Sequence, residues 1–271
     1  MPLPRKSTAK RPRKGQSGNP RPEPSSGEVF LVLPGLNLAP DKLQPLTGFL
    51  TGRGHAVAWP RLHGYGPGEE DAWEGVTAQR WLSDMDRAWA EVSSQLPGAA
   101  PCLLGYSMGA LLGLTWSLSR GIPLQRAIVL SPALRLRWYL IPALRIMAAT
   151  LPRRLRLPSK GPSSYLAHQG TSLAAYLALA DLMREFRLRL SKLCPQPGLP
   201  SQFLAYSPHD ELLSTRYLAR YQILAAGRVT QHRLEHVPRP GCPYHLGIDA
   251  HTLGDSEWAA LLAALERWLS K

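Results

Sequence analysis

Residues 105–109 read Gly-Tyr-Ser-Met-Gly, a serine held between glycines in the pattern G-x-S-x-G. A serine hydroxyl attacks a carbonyl only if a base removes its proton and donors stabilise the oxyanion that forms. Placed on a tight turn from strand to helix, the hydroxyl stands above the sheet, and the flanking glycines let crowded backbone make the turn. The surrounding sequence fits such a turn. Cys102-Leu103-Leu104 reads as a short buried strand, and Leu111, Leu112, Leu114 and Trp116 belong to a helix ending near Gly121. The positive N-terminus of that helix favours negative charge developing at the serine. Ser107 is the expected nucleophile.

Behind an elbow of this kind the partners follow in the order Ser, acid, His. The histidines after Ser107 are His168, His209, His232, His236, His245 and His251. His245 is the expected base, because the Gly/Pro-rich loop PRPGCPYHLGID lies between the strand VTQHRLE and the last helix and can carry it over the nucleophile. His236, at or just past the end of that strand, is the competing choice, and His251 is placed as a cap for the last helix. Asp210 follows the strand segment SQFLAYSP, at the edge where open α/β sheets gather ligands, and is the expected acid. Glu211 is its immediate rival, and Asp249 follows His245 too closely to approach it from a separate strand. The backbone N–H of Met108 and that of Leu36, in the turn LPGLN, are the expected oxyanion donors.

These residues need a scaffold, and the chain alternates strand and helix signals around them. GEVFLVLPG, HAVAWPRL, PCLLG, QRAIVLSP, SQFLAYSP and VTQHRLE read as strands. Helices are expected over DKLQPLTGFLTGRG, from Thr77 (as N-cap) to Leu96, after Ser107, from Ser214 to Ala226, and from Asp255 to Leu269. The fold class is therefore α/β, a mainly parallel sheet with helices on both faces. The core is assigned to residues 28–132 and 201–271. Residues 133–200, helical and punctuated by prolines, are read as an inserted helical cap or lid.

Of 271 residues, 44% are apolar, enough for a substantial core, and no run is long enough to span a membrane. Residues 1–27 are rich in Pro, Ser, Lys and Arg without periodicity, and read as a disordered basic tail rather than a secretory signal. Cys102, Cys194 and Cys242 are odd in number and lack metal-ligand spacing, which implies a reducing, cytoplasmic compartment and structural thiols. The net charge is +13, and Val92–Ala180 holds nine Arg or Lys and no acid. Basic surface attracts phosphate, so the tail and the cap are candidates for peripheral contact with an anionic membrane, weighed against a merely solvated face. Nucleic acid is not the expected partner, since the tail lacks interleaved aromatics. The stretch ALRLRWYLIPALRIMAATLPRRLRL mixes large apolar residues with six arginines. Its commoner use is a lid whose apolar side lines an acyl pocket, ahead of an interfacial helix.

The segments LPGL, GYSMG, AYSPHDELL and PGCPYHLGID, with the W-x-x-D spacing of Trp81 and Asp84, resemble the bacterial carboxylesterase and monoacylglycerol-lipase-like branch of the α/β-hydrolase superfamily. The resemblance runs from about residue 28 to 271 and is patchy in the cap. Pro34, Arg61 and Ala110 depart from the family's usual residues. It implies a Ser107–Asp210–His245 triad, no metal and no organic cofactor. The expected activity is hydrolysis of a small-molecule carboxylic ester, apolar or lipid-like, through an acyl-enzyme. Acyl transfer or thioester cleavage by the same triad, and a non-catalytic binding module, are the competing expectations.

Overall fold

The computed structural model describes residues 28–66, 68–192, 199–225 and 227–271. The expected basic tail and Cys194 lie outside the described residues. In chain order the elements are β1 (Glu28–Leu33), α1 (Gln44–Thr51), β2 (Ala56–Ala58), α2 (Ala78–Gln95), β3 (Ala100–Tyr106), α3 (Met108–Arg120), β4 (Arg126–Leu130), α4 (Leu140–Thr150), β5 (Arg156–Leu157), β6 (Thr171–Ser172), α5 (Leu173–Lys192), β7 (Ser201–Tyr206), α6 (Thr215–Leu224), β8 (Val229–Arg233), α7 (Ala250–Leu253) and α8 (Asp255–Leu269). Strands β2-β1-β3-β4-β7-β8 form one sheet in that order, and every pairing in it is parallel.

Parallel strands covered on both faces must be apolar on both, and these are. Leu31, Leu33, Leu103, Ala127, Val129 and Leu204 point to one layer, with α2, α3 and α5. Phe30, Val32, Cys102, Leu104, Ile128, Leu130 and Phe203 point to the other, with α1 and α8. The sequence sets the helix ends as well. Thr77 caps α2 by accepting from the Arg80 N–H, and Gly121, left-handed at φ 64°, closes α3. His251 does not cap the last helix: it sits within α7, whose N-cap is Asp249, in a reciprocal capping box with Thr252.

Residues 133–172 leave the sheet and arch over its C-terminal edge, carrying α4 and the small β5–β6 pair. Backbone bonds stitch this arch to the core at Leu136–Leu213 and Leu38–Leu166. Helix α5 differs from the rest of the segment 133–200. Leu179, Leu182, Met183 and Phe186 are buried in the same layer as α3, so α5 is the helix that covers the crossover from β4 to β7. Among the described residues no helix is long and apolar enough to cross a membrane.

Candidate active site

The chain runs from β1 outward to β2, then returns to place β3 on the other side of β1. Such a reversal opens a crevice at the C-terminal ends of the two central strands. The turn after β1 carries Leu36, and the turn after β3 carries Ser107.

Ser107 has φ 51° and ψ −111°, a conformation a side chain adopts only when its surroundings impose it. Its N–H donates to Leu130 O (2.8 Å), and its carbonyl accepts from Leu111 and Ala133 N–H. The neighbours must be glycine for steric reasons. A Cβ on Gly105 would lie 2.5 Å from Ala110 Cα, and one on Gly109 would lie 2.2 Å from Leu33 O. Gly35 is crowded as well, its Cβ position 2.6 Å from the Tyr106 ring and 3.3 Å from Ser107 Cβ, so the turn bearing Leu36 packs directly on the serine.

His245 reaches across from the loop before α7. Its Nε2 is 2.8 Å from Ser107 Oγ, and its Nδ1 is 2.7 Å from Asp210 Oδ2. The second oxygen of Asp210 accepts from the N–H groups of Leu212 (2.8 Å) and Leu213 (2.9 Å), which fix the carboxylate. Ser107 is 8% exposed, His245 7% and Asp210 1%. Burial disfavours charge on both partners. The imidazole's charge and hydrogen bond, with the Leu213 and Leu212 N–H groups, still hold Asp210 below the usual carboxylate range. Burial likewise works against an imidazolium at His245, but the charge and hydrogen bond of Asp210, with the Glu211 charge behind, raise it above its ordinary value. The arrangement stabilises the imidazolium that forms if a neutral His245 takes up a proton.

The sequence-level rivals fall elsewhere. Glu211 Oε2 accepts the backbone N–H of His245 (3.2 Å), while the ring's Nδ1 pairs with Asp210. His236 is buried beside the Tyr244 ring, with burial lowering its basicity. Among the described residues, no group of three or more His, Cys, Asp or Glu is disposed to hold a metal.

Three residues that sequence reasoning missed hold the loops of the site, two at the turn after β1 and one at the loop of His245. Asn37, left-handed at φ 58° and fully buried, donates from Nδ2 to Ser159 Oγ (2.8 Å) and His168 O (3.0 Å), and its Oδ1 accepts from His168 N–H. It thus ties that turn to the arch. Tyr65 donates to Gly35 O (2.8 Å). Tyr106, the variable residue before the serine, donates to His245 O (3.0 Å). The W-x-x-D pair explains how Tyr65 is aimed. Trp81 Nε1 donates to His63 O (3.1 Å), and Asp84 Oδ2 accepts from His63 N–H (2.7 Å), so both grip the backbone of one residue, two before Tyr65. Gly64 O then accepts from Trp73 Nε1 and lies 2.7 Å from His168 Nε2.

A cavity of about 460 Å³ opens on Ser107 and His245. Under α4 its wall is apolar, formed by Leu136, Leu140, Ala143, Leu144, Met147 and Leu179. Its other end is polar, with Asn37, Ser159, Lys160, Thr171 and Tyr176.

Comparison with known proteins agrees with this architecture. No curated protein matches the sequence. Among solved structures, one of the metagenome-derived lipolytic enzymes LipS and LipT is 20% identical with a TM-score of 0.68, covering 91% of this chain and 95% of its own. A soluble variant of monoglyceride lipase from Saccharomyces cerevisiae, solved with a substrate analogue, is 14% identical (TM-score 0.67; 90% and 86% covered). A monoacylglycerol lipase of Paleococcus ferrophilus is 16% identical (TM-score 0.64; 89% and 94%). At these identities the likeness is one of fold. Residues 24–192, the elbow included but not Asp210 or His245, match the family described as serine aminopeptidase, S33. With a match over well more than half of the sequence and the sheet, elbow and crossover order just described, the chain belongs to the serine aminopeptidase S33 family of α/β-hydrolases, and is a hydrolase.

Proposed function

We propose that this hydrolase cleaves carboxylic esters with apolar acyl chains through an acyl-enzyme on Ser107. The observation that carries the reading is the continuous hydrogen-bonded line from Asp210 through His245 to Ser107 Oγ, opening into a cavity with one apolar end. Ser107 Oγ attacks the ester carbonyl carbon while His245 Nε2 takes the hydroxyl proton. The N–H groups of Met108 and Leu36 receive the oxyanion, since the first opens α3 and the second follows the turn packed on the serine. His245 then gives its proton to the departing alcohol, and water activated by the same nitrogen releases the acid. Asp210 keeps the imidazole in the required tautomer and stays ionised.

In this reading residues 133–172 are a lid, and the cavity wall formed by α4 holds the acyl chain. The outer side of the lid also carries apolar residues, Trp138 at 81% and Ile146 at 67% exposure, beside Arg145, Arg153 and Arg154. An anionic lipid surface is the partner whose chemistry matches that face. The test is labelling by a serine-reactive fluorophosphonate, abolished in Ser107→Ala, followed by rates on p-nitrophenyl esters of increasing chain length. Preference for medium or long chains is expected. Labelling that survives in Ser107→Ala, or a preference for acetate, rejects the reading.

A further inference from the structure

The polar end of the cavity has no task in the reaction as described. Asn37 donates both of its amide hydrogens, to Ser159 Oγ and to His168 O. Ser159 Oγ lies 2.7 Å from Thr171 Oγ1, and Thr171 also hydrogen-bonds Tyr176. Three hydroxyls thus share two mutual bonds. Each bond consumes one hydrogen, so whichever way the chain is oriented one O–H is left to donate. Beside this chain stands Lys160, which lines the cavity and makes no ion pair among the described residues. The one acid lining the cavity, Glu211, is engaged by the backbone of His245. The end of the cavity is therefore rich in donors and poor in acceptors, in a stretch from Val92 to Ala180 without acidic residues.

Its position assigns it to one half of an ester. The Cβ position of Gly161, next to Lys160, is 3.8 Å from Leu246 and 4.0 Å from Pro243, so this loop abuts the loop that presents His245. The leaving alcohol departs from the side of the histidine that protonates it. The apolar wall under α4 is left for the acyl chain.

We infer that Lys160, with the surplus hydroxyl of the Ser159–Thr171–Tyr176 chain, forms a subsite for an anionic group, phosphate or carboxylate, on the alcohol half of the ester. The inference rests on the ester-hydrolysis reading above. An ammonium group and a free O–H both favour an acceptor-only ligand, and the charge-assisted bonds they make are the stronger kind.

The test compares esters of one acyl chain that differ only in the alcohol: monolauroylglycerol, its phosphate monoester, and lauroyl-lactate, each below its micelle concentration. The wild-type protein is expected to favour the anionic esters in kcat/KM by about tenfold, the discrimination that one partly solvated charge-assisted contact supplies. Lys160→Ala should remove most of that ratio, Lys160→Glu should invert it, and added salt should lower it in the wild type but not in Lys160→Ala. Phosphate and lactate esters responding together identify a general anion site, and a response from only one identifies which anion it takes. A wild-type ratio at or below unity, or a ratio unmoved in both Lys160 variants, overturns the subsite. If monolauroylglycerol is cleaved in a Ser107-dependent way, the ester reading survives that failure; if no ester is cleaved, both fall.

Discussion

Ser107 holds its hydroxyl ready at the expense of its backbone, and that residue is pinned through both its N–H and its carbonyl. Because the strain belongs to the backbone, Ser107→Ala should fold normally and lose turnover, which a thermal melt alongside an ester assay would establish. In the proposed mechanism His245 works only as the free base. Since its pKa is raised, kcat/KM should fall toward acid with a midpoint above the ordinary 6.5. Asp210→Asn removes the raising charge but leaves the burial, so the midpoint should move to lower pH while the rate drops by about four orders of magnitude. Glu211→Gln should move the midpoint the same way by less and retain most of the rate. A pH profile unmoved by either change would refute this account of the histidine. Ser107, Asp210 and His245 were legible because their types are chemically specific and each follows a strand or sits in a loop past one. Asn37, Tyr65 and Tyr106 were not, because each acts by bonding the backbone of a distant residue, a partnership with no local sequence trace.

At the scale of elements, steric limits are sharper than chemical ones. Gly109→Ala would place a methyl group inside contact distance of Leu33 O, a backbone atom of the central strand. We expect a loss of at least about 1–3 kcal/mol, as for other overpacked cores, measured by denaturant unfolding. Asp84→Ala should leave the His63 N–H without its acceptor and cost about 1–3 kcal/mol. It should also lower kcat more than it changes KM, because His63 leads to Tyr65 and Tyr65 holds Gly35. A variant that is destabilised with kcat intact would show that the grip on His63 serves stability alone. Strands and helices were readable from short apolar runs and helical spacing, and the expected bounds of α8 coincide with those observed. What periodicity missed was α5. The prolines on either side of it marked the whole stretch as an inserted segment, whereas burial against α3 depends on tertiary contacts that no window of sequence contains.

For the whole molecule, the strand order could be anticipated only as a parallel sheet, because alternation of elements does not say on which side of β1 each later strand docks. The cavity was anticipated as apolar, and its polar end escaped notice since Asn37, Ser159 and Tyr176 are far apart in the chain. The exposed apolar and arginine residues on the arch over the sheet lead to a prediction at this scale. The protein lacking residues 1–27 should sediment with anionic vesicles, less so at high salt, and Trp138→Ala with Ile146→Ala should weaken the binding. Absence of binding would leave the pocket but remove the lipid surface as partner. The separation of the catalytic partners has a further effect in time. Ser107 and His245 are 138 residues apart, and the strands that bring them together pair only in parallel, through long crossovers. Contacts of such long range form late. As a ribosome extends the chain, the elbow is complete long before its base has been synthesised, so a nascent chain or a fragment ending before residue 245 carries a serine with nothing to take its proton. Activity itself thereby becomes a report that the C-terminal loop has docked.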